Sequence, residues 1–140
     1  AGGADTMIGW AGNDIYYGGQ SLDSADFHAS QVPSIWVNLS SAMAFGEGDD
    51  LLSGMDKVVG TPGADTLIGD SGANILDGWS GDDYLQGNGG NDQIVGGEGR
   101  DAASWSGSAV AVTVNLAQGF ASSADGYDSL ATVEGVAPRW

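Results

Sequence analysis

The stretch from 60 to 104 repeats with a period of nine residues, and this repeat restricts the possible folds more than any other feature of the chain. It divides into five rows, GTPGADTLI, GDSGANILD, GWSGDDYLQ, GNGGNDQIV and GGEGRDAAS, whose nine positions we call columns. Columns one and four are always glycine, and column six is aspartate or asparagine. Column eight is Leu67, Leu76, Leu85, Ile94 or Ala103. Five consecutive rows with the same residue types in the same columns predict a protein built from stacked structural repeats.

The row pattern predicts a turn over the first six columns and a short strand over the last three. Side chains alternate across a strand, so the middle strand residue, in column eight, is expected to point inward. Glycine in columns one and four is expected to permit positive φ and a tight turn. Two rows form one coil of 18 residues, so odd and even rows should stack on opposite edges of a parallel β-solenoid.

Column six predicts a metal site in the turns. Rows one coil apart place Asp65 near Asp83, Asp83 near Asp101, and Asn74 near Asp92. Stacked carboxylates repel each other without a cation, and Ca²⁺ prefers about six to eight oxygen ligands. Asn74 keeps an oxygen but lacks the charge, so its site is expected to be the weakest. Backbone carbonyls of the column-four glycines are expected to complete the sites, at Gly63, Gly72, Gly81, Gly90 and Gly99.

Two other interpretations of the array need no metal. The first is a flexible glycine-rich loop, which would not hold aliphatic residues at a constant phase. The second is a metal-free solenoid, which would not place acidic side chains next to each other at successive turns. The constant phase of the aliphatic residues and the stacking of the acidic ones both favour the calcium-binding interpretation.

The N-terminal block carries the same repeat in an irregular form. Asp5, Asp14 and Asp23 occupy column six in three successive rows, and Asp5 and Asp23 are one coil apart. Ser21 replaces the column-four glycine of the third row, so the regular turn is expected to end there. We expect a short repeat block at 1–26, and its three aspartates join the predicted calcium ligands.

The repeat is interrupted between 27 and 53. Ile35, Val37 and Leu39 alternate with two other side chains, which predicts a strand with one buried face. The following residues, 40–48, are predicted to be loop.

A longer repeat of about 78 residues contains both blocks. GNDIYYGG at 12–19 matches GNDQIVGG at 90–97, and IWVNL at 35–39 matches VTVNL at 112–116. The interruption should therefore recur after the main array.

We assign the main array to 54–104, and expect a capping strand and the start of the next unit at 105–140. Phe27 and Trp105 occupy matching positions at the start of the two interruptions and are expected to be buried apolar plugs. Together the blocks are expected to form a single domain over 1–140.

These motifs resemble the RTX, or haemolysin-type, calcium-binding repeat family of secreted bacterial proteins, whose nonapeptide is G-G-x-G-x-D-x-U-x. The resemblance covers nearly all of the chain, including the interruption with its VNL strand. It implies an all-β, right-handed parallel β-roll with roughly four to six calcium ions in its turns. It also implies type I secretion as part of a larger extracellular protein. The chain starts in mid-motif and ends in GVAPRW, unlike the family's C-terminal secretion signal, so a fragment is expected.

Composition agrees with an extracellular calcium-binding protein. Three basic residues against 19 acidic ones give a formal net charge of −16, which argues against nucleic acid or an anionic membrane as a partner. The absence of cysteine leaves metal as the natural cross-link outside the cell. No apolar segment approaches the roughly 20 residues of a membrane-spanning helix.

An enzymatic role is not predicted. His28 is the single histidine, so a catalytic or transition-metal site lacks partners. The pairs Asp49–Asp50 and Asp82–Asp83 resemble the paired carboxylates of glycoside hydrolases. The nonapeptide register instead explains Asp83 as a ligand and Asp82 as an outward turn residue.

The sequence therefore predicts a module that folds on binding calcium outside the cell and stabilises a larger exported protein or supports its secretion. The alternative is a calcium-dependent ligand-binding module, for a glycan or as an adhesin. In that case Trp10, Trp36 and Trp79, which are expected to be exposed, would stack on a polysaccharide.

Overall fold

The chain folds as two β-sheets that share one narrow core. The structure is a computed structural model that describes residues 2–9, 11–46 and 48–137, none of which is helical. Within these ranges the strands β1 to β16 are, in order, Thr6–Ile8, Ile15–Tyr17, Ser24–Asp26, Trp36–Asn38, Met43–Phe45, Asp49–Ser53, Lys57–Val59, Thr66–Ile68, Ile75–Asp77, Tyr84–Gln86, Gln93–Val95, Ala102–Ala103, Thr113–Asn115, Phe120–Ser122, Tyr127–Ala131 and Gly135–Val136.

Successive rows of the main array alternate between the two sheets. β7, β9 and β11 lie side by side in the first sheet, and β8, β10 and β12 lie side by side in the second. These neighbours are parallel and one coil apart, so Leu67 pairs with Leu85 and Leu76 pairs with Ile94. The predicted all-β fold, a parallel β-roll with two rows per coil, is confirmed.

The inward side chains of column eight form the core of the array. Leu67, Leu76, Leu85, Ile94 and Ala103 are all fully buried. Each strand of the array contributes only one of these side chains, so the core between the two sheets is narrow. Hydrophobic stabilisation scales with the apolar area buried, so a core this narrow contributes little stability for the length of chain that it orders.

The interruption at 27–53 contains more regular structure than predicted. β4, β5 and β6 form an antiparallel meander within the second sheet. β4 also pairs in parallel with β8, and β6 with β2, so the meander continues the sheet on both sides. The prediction of a loop at 40–48 was wrong for 43–45, whereas the other described residues of this range are turns or bends. Met43–Phe45 forms β5 there with one inward side chain, Ala44, which is too short a pattern to identify a strand.

The interruption that begins at 105 is built in the same way. β13, β14 and β15 form an antiparallel meander in the first sheet, and β15 pairs in parallel with β11. The predicted capping strand is therefore part of a three-stranded unit. Phe27 and Trp105 are buried at the start of the two meanders, as predicted. The last predicted residues, 138–140, lie outside the described ranges.

An asparagine in column five fixes the point where each meander rejoins the roll. Oδ1 of Asn13 accepts a hydrogen bond of 3.1 Å from the backbone N–H of Asp49, the first residue of β6. Oδ1 of Asn91 accepts one of 2.8 Å from the N–H of Tyr127, the first residue of β15. The G-N-D sequence that recurs in both units therefore marks where the returning strand pairs.

Candidate metal centre

The predicted column-six ligands lie at the ends of the turns, each immediately before a strand. Asp5 and Asp14 are half-buried. The others are buried: Asp23, Asp65, Asn74, Asp83, Asp92 and Asp101. An ionised carboxylate is costly to bury unless it is paired, so these positions require compensation.

The residues of each predicted pair are adjacent, and they are joined by a hydrogen bond from the backbone N–H of one residue to the side chain of the other. The backbone N–H of Asp65 donates to Oδ1 of Asp83 at 2.8 Å, and that of Asp83 donates to Oδ1 of Asp101 at 2.9 Å. The N–H of Asn74 donates in the same way to Oδ1 of Asp92 at 2.9 Å. Each carboxylate therefore uses one oxygen to hold the preceding coil.

Four of these carboxylates have a second oxygen that nothing in the described chain satisfies. These buried atoms, which accept no hydrogen bond, are Oδ2 of Asp23, Asp83, Asp92 and Asp101. A buried polar atom without a partner costs about 1–3 kcal/mol, and more when it is charged. Carboxylate oxygens are preferred ligands of calcium, so these atoms fit a hard divalent cation.

The column-one glycines lie directly against the orphaned oxygens. A Cβ added to Gly78 would overlap Oδ2 of Asp83 and would lie 2.6 Å from the carbonyl oxygen of Gly96. A Cβ added to Gly96 would overlap Oδ2 of Asp101 and the carbonyl oxygen of Thr132. At both turns a carboxylate oxygen and a backbone carbonyl of the adjacent coil converge beside a glycine. Calcium sites in proteins commonly combine these two kinds of ligand.

The expectation of positive φ in column one was wrong. None of the column-one glycines has a positive φ, so they are required for space. In column four the expectation holds for Gly81, Gly90 and Gly99, with φ of 112°, 104° and 136°, but not for Gly63 and Gly72. The column-one glycines are Gly60, Gly69, Gly78, Gly87 and Gly96.

The column-four carbonyls, which were predicted as ligands, lie at contacts between coils. A Cβ added to Gly81 would lie 2.5 Å from the carbonyl oxygen of Gly63. Gly90 is placed in the same way over the carbonyl of Gly72, and Gly99 over that of Gly81. The carbonyls beside the orphaned carboxylates of Asp83 and Asp101 were not among the predicted ligands.

Burial makes the anionic form of these side chains unfavourable. Desolvation raises the pKa of Asp83 to about 7 and that of Asp92 to about 6. Desolvation also raises the pKa of Asp65 and of Asp101. At Asp83 the hydrogen bond from Asp65 opposes the rise, while the charges of Asp65, Asp101 and Asp82 add to it. A bound cation would offset this cost by favouring the ionised form.

Sequence reasoning missed four acidic residues that extend the column-six ladder. They accept hydrogen bonds from the backbone N–H groups of Asp14, Asp23, Asp92 and Asp101. They follow those residues by 36 or 33 positions rather than 18 because a meander lies in between, so stacking one coil apart did not predict these contacts. The 78-residue repeat could have found them, because it matches them in pairs. They are Asp50, Asp56, Asp128 and Glu134.

Other candidate residues form local contacts. Nδ1 of His28 lies 2.6 Å from Oδ1 of Asp26, and its ring lies 5.2 Å from the ring of Trp79. The described ranges contain no group of three or more histidine, cysteine, aspartate or glutamate side chains placed to bind one metal. No helix capable of crossing a membrane occurs in the described part of the chain.

Comparison with known families identifies the repeat. Copies of the RTX calcium-binding nonapeptide repeat match at residues 1–24, 52–85 and 80–102, which together cover more than half of the chain. Comparison with curated proteins gives no match. The matched stretches contain the four orphaned carboxylates and the glycines beside them. The chain therefore belongs to the family of proteins built from RTX calcium-binding nonapeptide repeats.

Proposed function

We propose that this chain is a calcium-dependent folding module, which folds outside the cell and stabilises a larger exported protein or supports its secretion. The observation that most directly supports this function is the set of four buried, orphaned carboxylate oxygens in the turns. Asp23, Asp83, Asp92 and Asp101, with nearby backbone carbonyls, would hold the calcium ions. When bound, calcium supplies the positive charge and the coordination that these oxygens otherwise lack.

Net charge and core size support a dependence of folding on calcium. The formal charge of −16 opposes compaction, and the core is one side chain wide. Binding free energy is then available as folding free energy, because the ligands come together only in the folded roll. Extracellular calcium modules typically respond at about 10⁻⁴–10⁻³ M, so the module would stay less folded in a calcium-poor cytoplasm.

A calcium titration followed by far-UV circular dichroism tests this function. The chain is first treated with EDTA, and magnesium serves as the control ion. We expect a cooperative gain of β signal that calcium produces and magnesium does not. Equal β signal with and without calcium would refute the folding function.

One observation favours the alternative function of ligand binding. Trp79 is 50% exposed and has a φ of 74°, an unfavourable conformation for a bulky side chain. Trp36 packs on Phe45 at a ring distance of 5.5 Å, and Trp10 lies outside the described residues. A polysaccharide pull-down in calcium would test this alternative, since Trp79→Ala should abolish binding while the β signal remains.

A further inference from the structure

The five rows of the main array contain two different kinds of turn. In the last three rows the column-two residue has a positive φ, 74° at Trp79, 73° at Asn88 and 117° at Gly97. We call these open turns, and their column-six carboxylates all have an orphaned oxygen. In the first two rows, the column-two residues Thr61 and Asp70 do not have positive φ.

The first two turns, which we call closed turns, satisfy their own column-six side chains. The N–H of Thr61 donates to Oδ2 of Asp65 at 2.6 Å, and its hydroxyl donates to Oδ1 of Asp65 at 2.8 Å. In the next row the N–H of Asp70 donates to Oδ1 of Asn74 at 2.8 Å. In an open turn the column-two N–H points elsewhere, as that of Trp79 does towards Asp77. In a closed turn the column-two backbone N–H therefore donates a hydrogen bond to the column-six side chain, and the open turns lack this bond.

The sequence explains why these two turns are closed. Oγ1 of Thr61 accepts a hydrogen bond from the N–H of Gly63, and Oδ1 of Asp70 accepts one from Gly72, which are typical Ser/Thr- and Asx-turn bonds. Pro62 follows Thr61, and the residue before a proline is restricted to extended conformations. The open form, which needs a positive φ in column two, is therefore disfavoured at Thr61.

The closed turns belong to a larger segment in which the protein itself provides hydrogen-bond partners for the buried polar side-chain atoms. Residues 24–77, the central segment, comprise β3 to β9 and include the first meander. Among its described residues, no buried side-chain nitrogen or oxygen lacks a partner. It also contains most of the buried apolar side chains, among them Phe27, Val37, Leu52 and Leu67. The orphaned oxygens lie on both sides of it, at Asp23 and from Asp83 onward.

We propose that the central segment folds without calcium, that Asp65 and Asn74 are not calcium ligands, and that calcium orders the coils on either side of it. This inference rests on the proposed calcium-binding function and specifies which turns carry it. The metal-free chain then keeps part of its β structure. Calcium extends the roll in both directions from a preformed centre whose strands β3, β6, β8 and β9 offer backbone partners to the flanking coils.

Hydrogen exchange of the whole chain in EDTA tests the preformed centre. We expect amides of β4, β7, β8 and β9 to exchange at least about tenfold more slowly than those of β10 to β12. The reason is that segments whose buried polar atoms all have hydrogen-bond partners should open less often. Thr61→Val, which removes the hydroxyl, should reduce this protection in EDTA. Thr66→Val, the same change at column seven of the same row, should not. Equal exchange across the array in EDTA would overturn the inference.

Ion counting by mass spectrometry tests the ligand assignment separately. Asp65→Asn, which reproduces the residue of the other closed turn, should leave the number of bound calcium ions unchanged, whereas Asp83→Asn should reduce it. A reduced count for Asp65→Asn would overturn the inference but leave calcium binding intact. Failure of the unmodified chain to bind calcium would refute the proposed function itself, and the assignment of ligands with it.

Discussion

At the scale of single residues, two adjacent aspartates of one turn have different roles. Asp83 is buried and has an orphaned oxygen, whereas Asp82 is exposed and its Oδ1 accepts a 2.9 Å hydrogen bond from the N–H of Arg100. Asp83→Asn should remove about one calcium ion and raise the calcium midpoint of folding about tenfold, because a charged ligand is lost. Mass spectrometry and circular dichroism measure the two effects.

Asp82→Asn is the matched control for this prediction. It removes the same charge from the same turn but keeps the oxygen that accepts from Arg100. We expect little change in ion count or midpoint. If both variants weaken calcium binding equally, total charge rather than the orphaned oxygen determines affinity.

The space beside each carboxylate gives a second prediction at this scale. A Cβ on Gly78 would overlap Oδ2 of Asp83, whereas the nearest atom to a Cβ on Gly89 is Cα of Ser71, at 3.9 Å. Gly78→Ala should therefore lower the free energy of unfolding in calcium by about 2–4 kcal/mol, and Gly89→Ala by no more than about 0.5 kcal/mol. Urea unfolding in excess calcium measures both. Similar losses would indicate that column one needs glycine for backbone freedom rather than for space.

At the scale of elements, the second meander is joined to the roll by a buried hydrogen bond. Nε1–H of Trp105 donates to Oδ2 of Asp128 at 2.7 Å, while Oδ1 of Asp128 accepts from the N–H of Asp92. Trp105→Phe introduces the residue found at the matching position of the first unit, Phe27. It should cost about 1–3 kcal/mol in urea unfolding, because a buried carboxylate oxygen loses its donor.

The double variant Trp105→Phe with Asp128→Asn provides the control for this bond. The asparagine keeps an oxygen for the N–H of Asp92 but carries no charge that needs the indole. We expect it to recover part of the stability lost in Trp105→Phe alone. No recovery would mean that the loss comes from packing of the larger ring.

The elements also show how far the sequence determines the fold. The constant phase of Leu67, Leu76 and Leu85 was sufficient to predict the strands, their inward faces and the coil of two rows. β5 could not be predicted, because its three residues form a strand only when β4 and β6 pair with both of its edges. Tertiary pairing outweighs local propensity in so short a strand.

The candidate site, like the fold, could be predicted only in part from the sequence. Column six identified the carboxylates, because their spacing is a property of the sequence. Within the main array, the carboxylates that keep an orphaned oxygen are those whose column-two residue has a positive φ, which is a property of turn conformation. The sequence does contain signals for the closed turns, namely Thr61 followed by Pro62 in one row and Asp70 in column two of the next. A search for acidic residues in column six does not use these signals.

At the scale of the whole molecule, acidic side chains outnumber basic ones, and the stability of the roll depends on how their charge is compensated. The contact between Nδ1 of His28 and Oδ1 of Asp26, at 2.6 Å, lies on the surface and involves none of the column-six carboxylates. The buried carboxylates of the turns therefore have two ways to lose their unfavourable charge. They bind a cation, or they bind a proton.

Proton binding predicts that metal-free folding improves at acid pH. The pKa of Asp83 is about 7 in the folded chain against an ordinary value of 3.8, and that of Asp92 is about 6. From the ordinary value of 3.8 up to these raised pKa values, the folded chain binds more protons than the unfolded chain. The free energy of unfolding therefore falls as the pH rises through this range. In EDTA, the β signal of the flanking coils should therefore increase as the pH is lowered from about 8 to about 5.

Calcium should reverse this dependence, because the ion binds the ionised carboxylate and competes with the proton. With saturating calcium at pH 8, the midpoint of urea unfolding should be higher than at pH 5. Asp83→Asn should weaken both trends, because the side chain that it introduces does not titrate. If EDTA-treated chain gains stability as pH rises, the buried turns do not hold the protons that this account assigns to them. The opposite slopes in EDTA and in calcium would identify cation and proton as alternative occupants of the same turns.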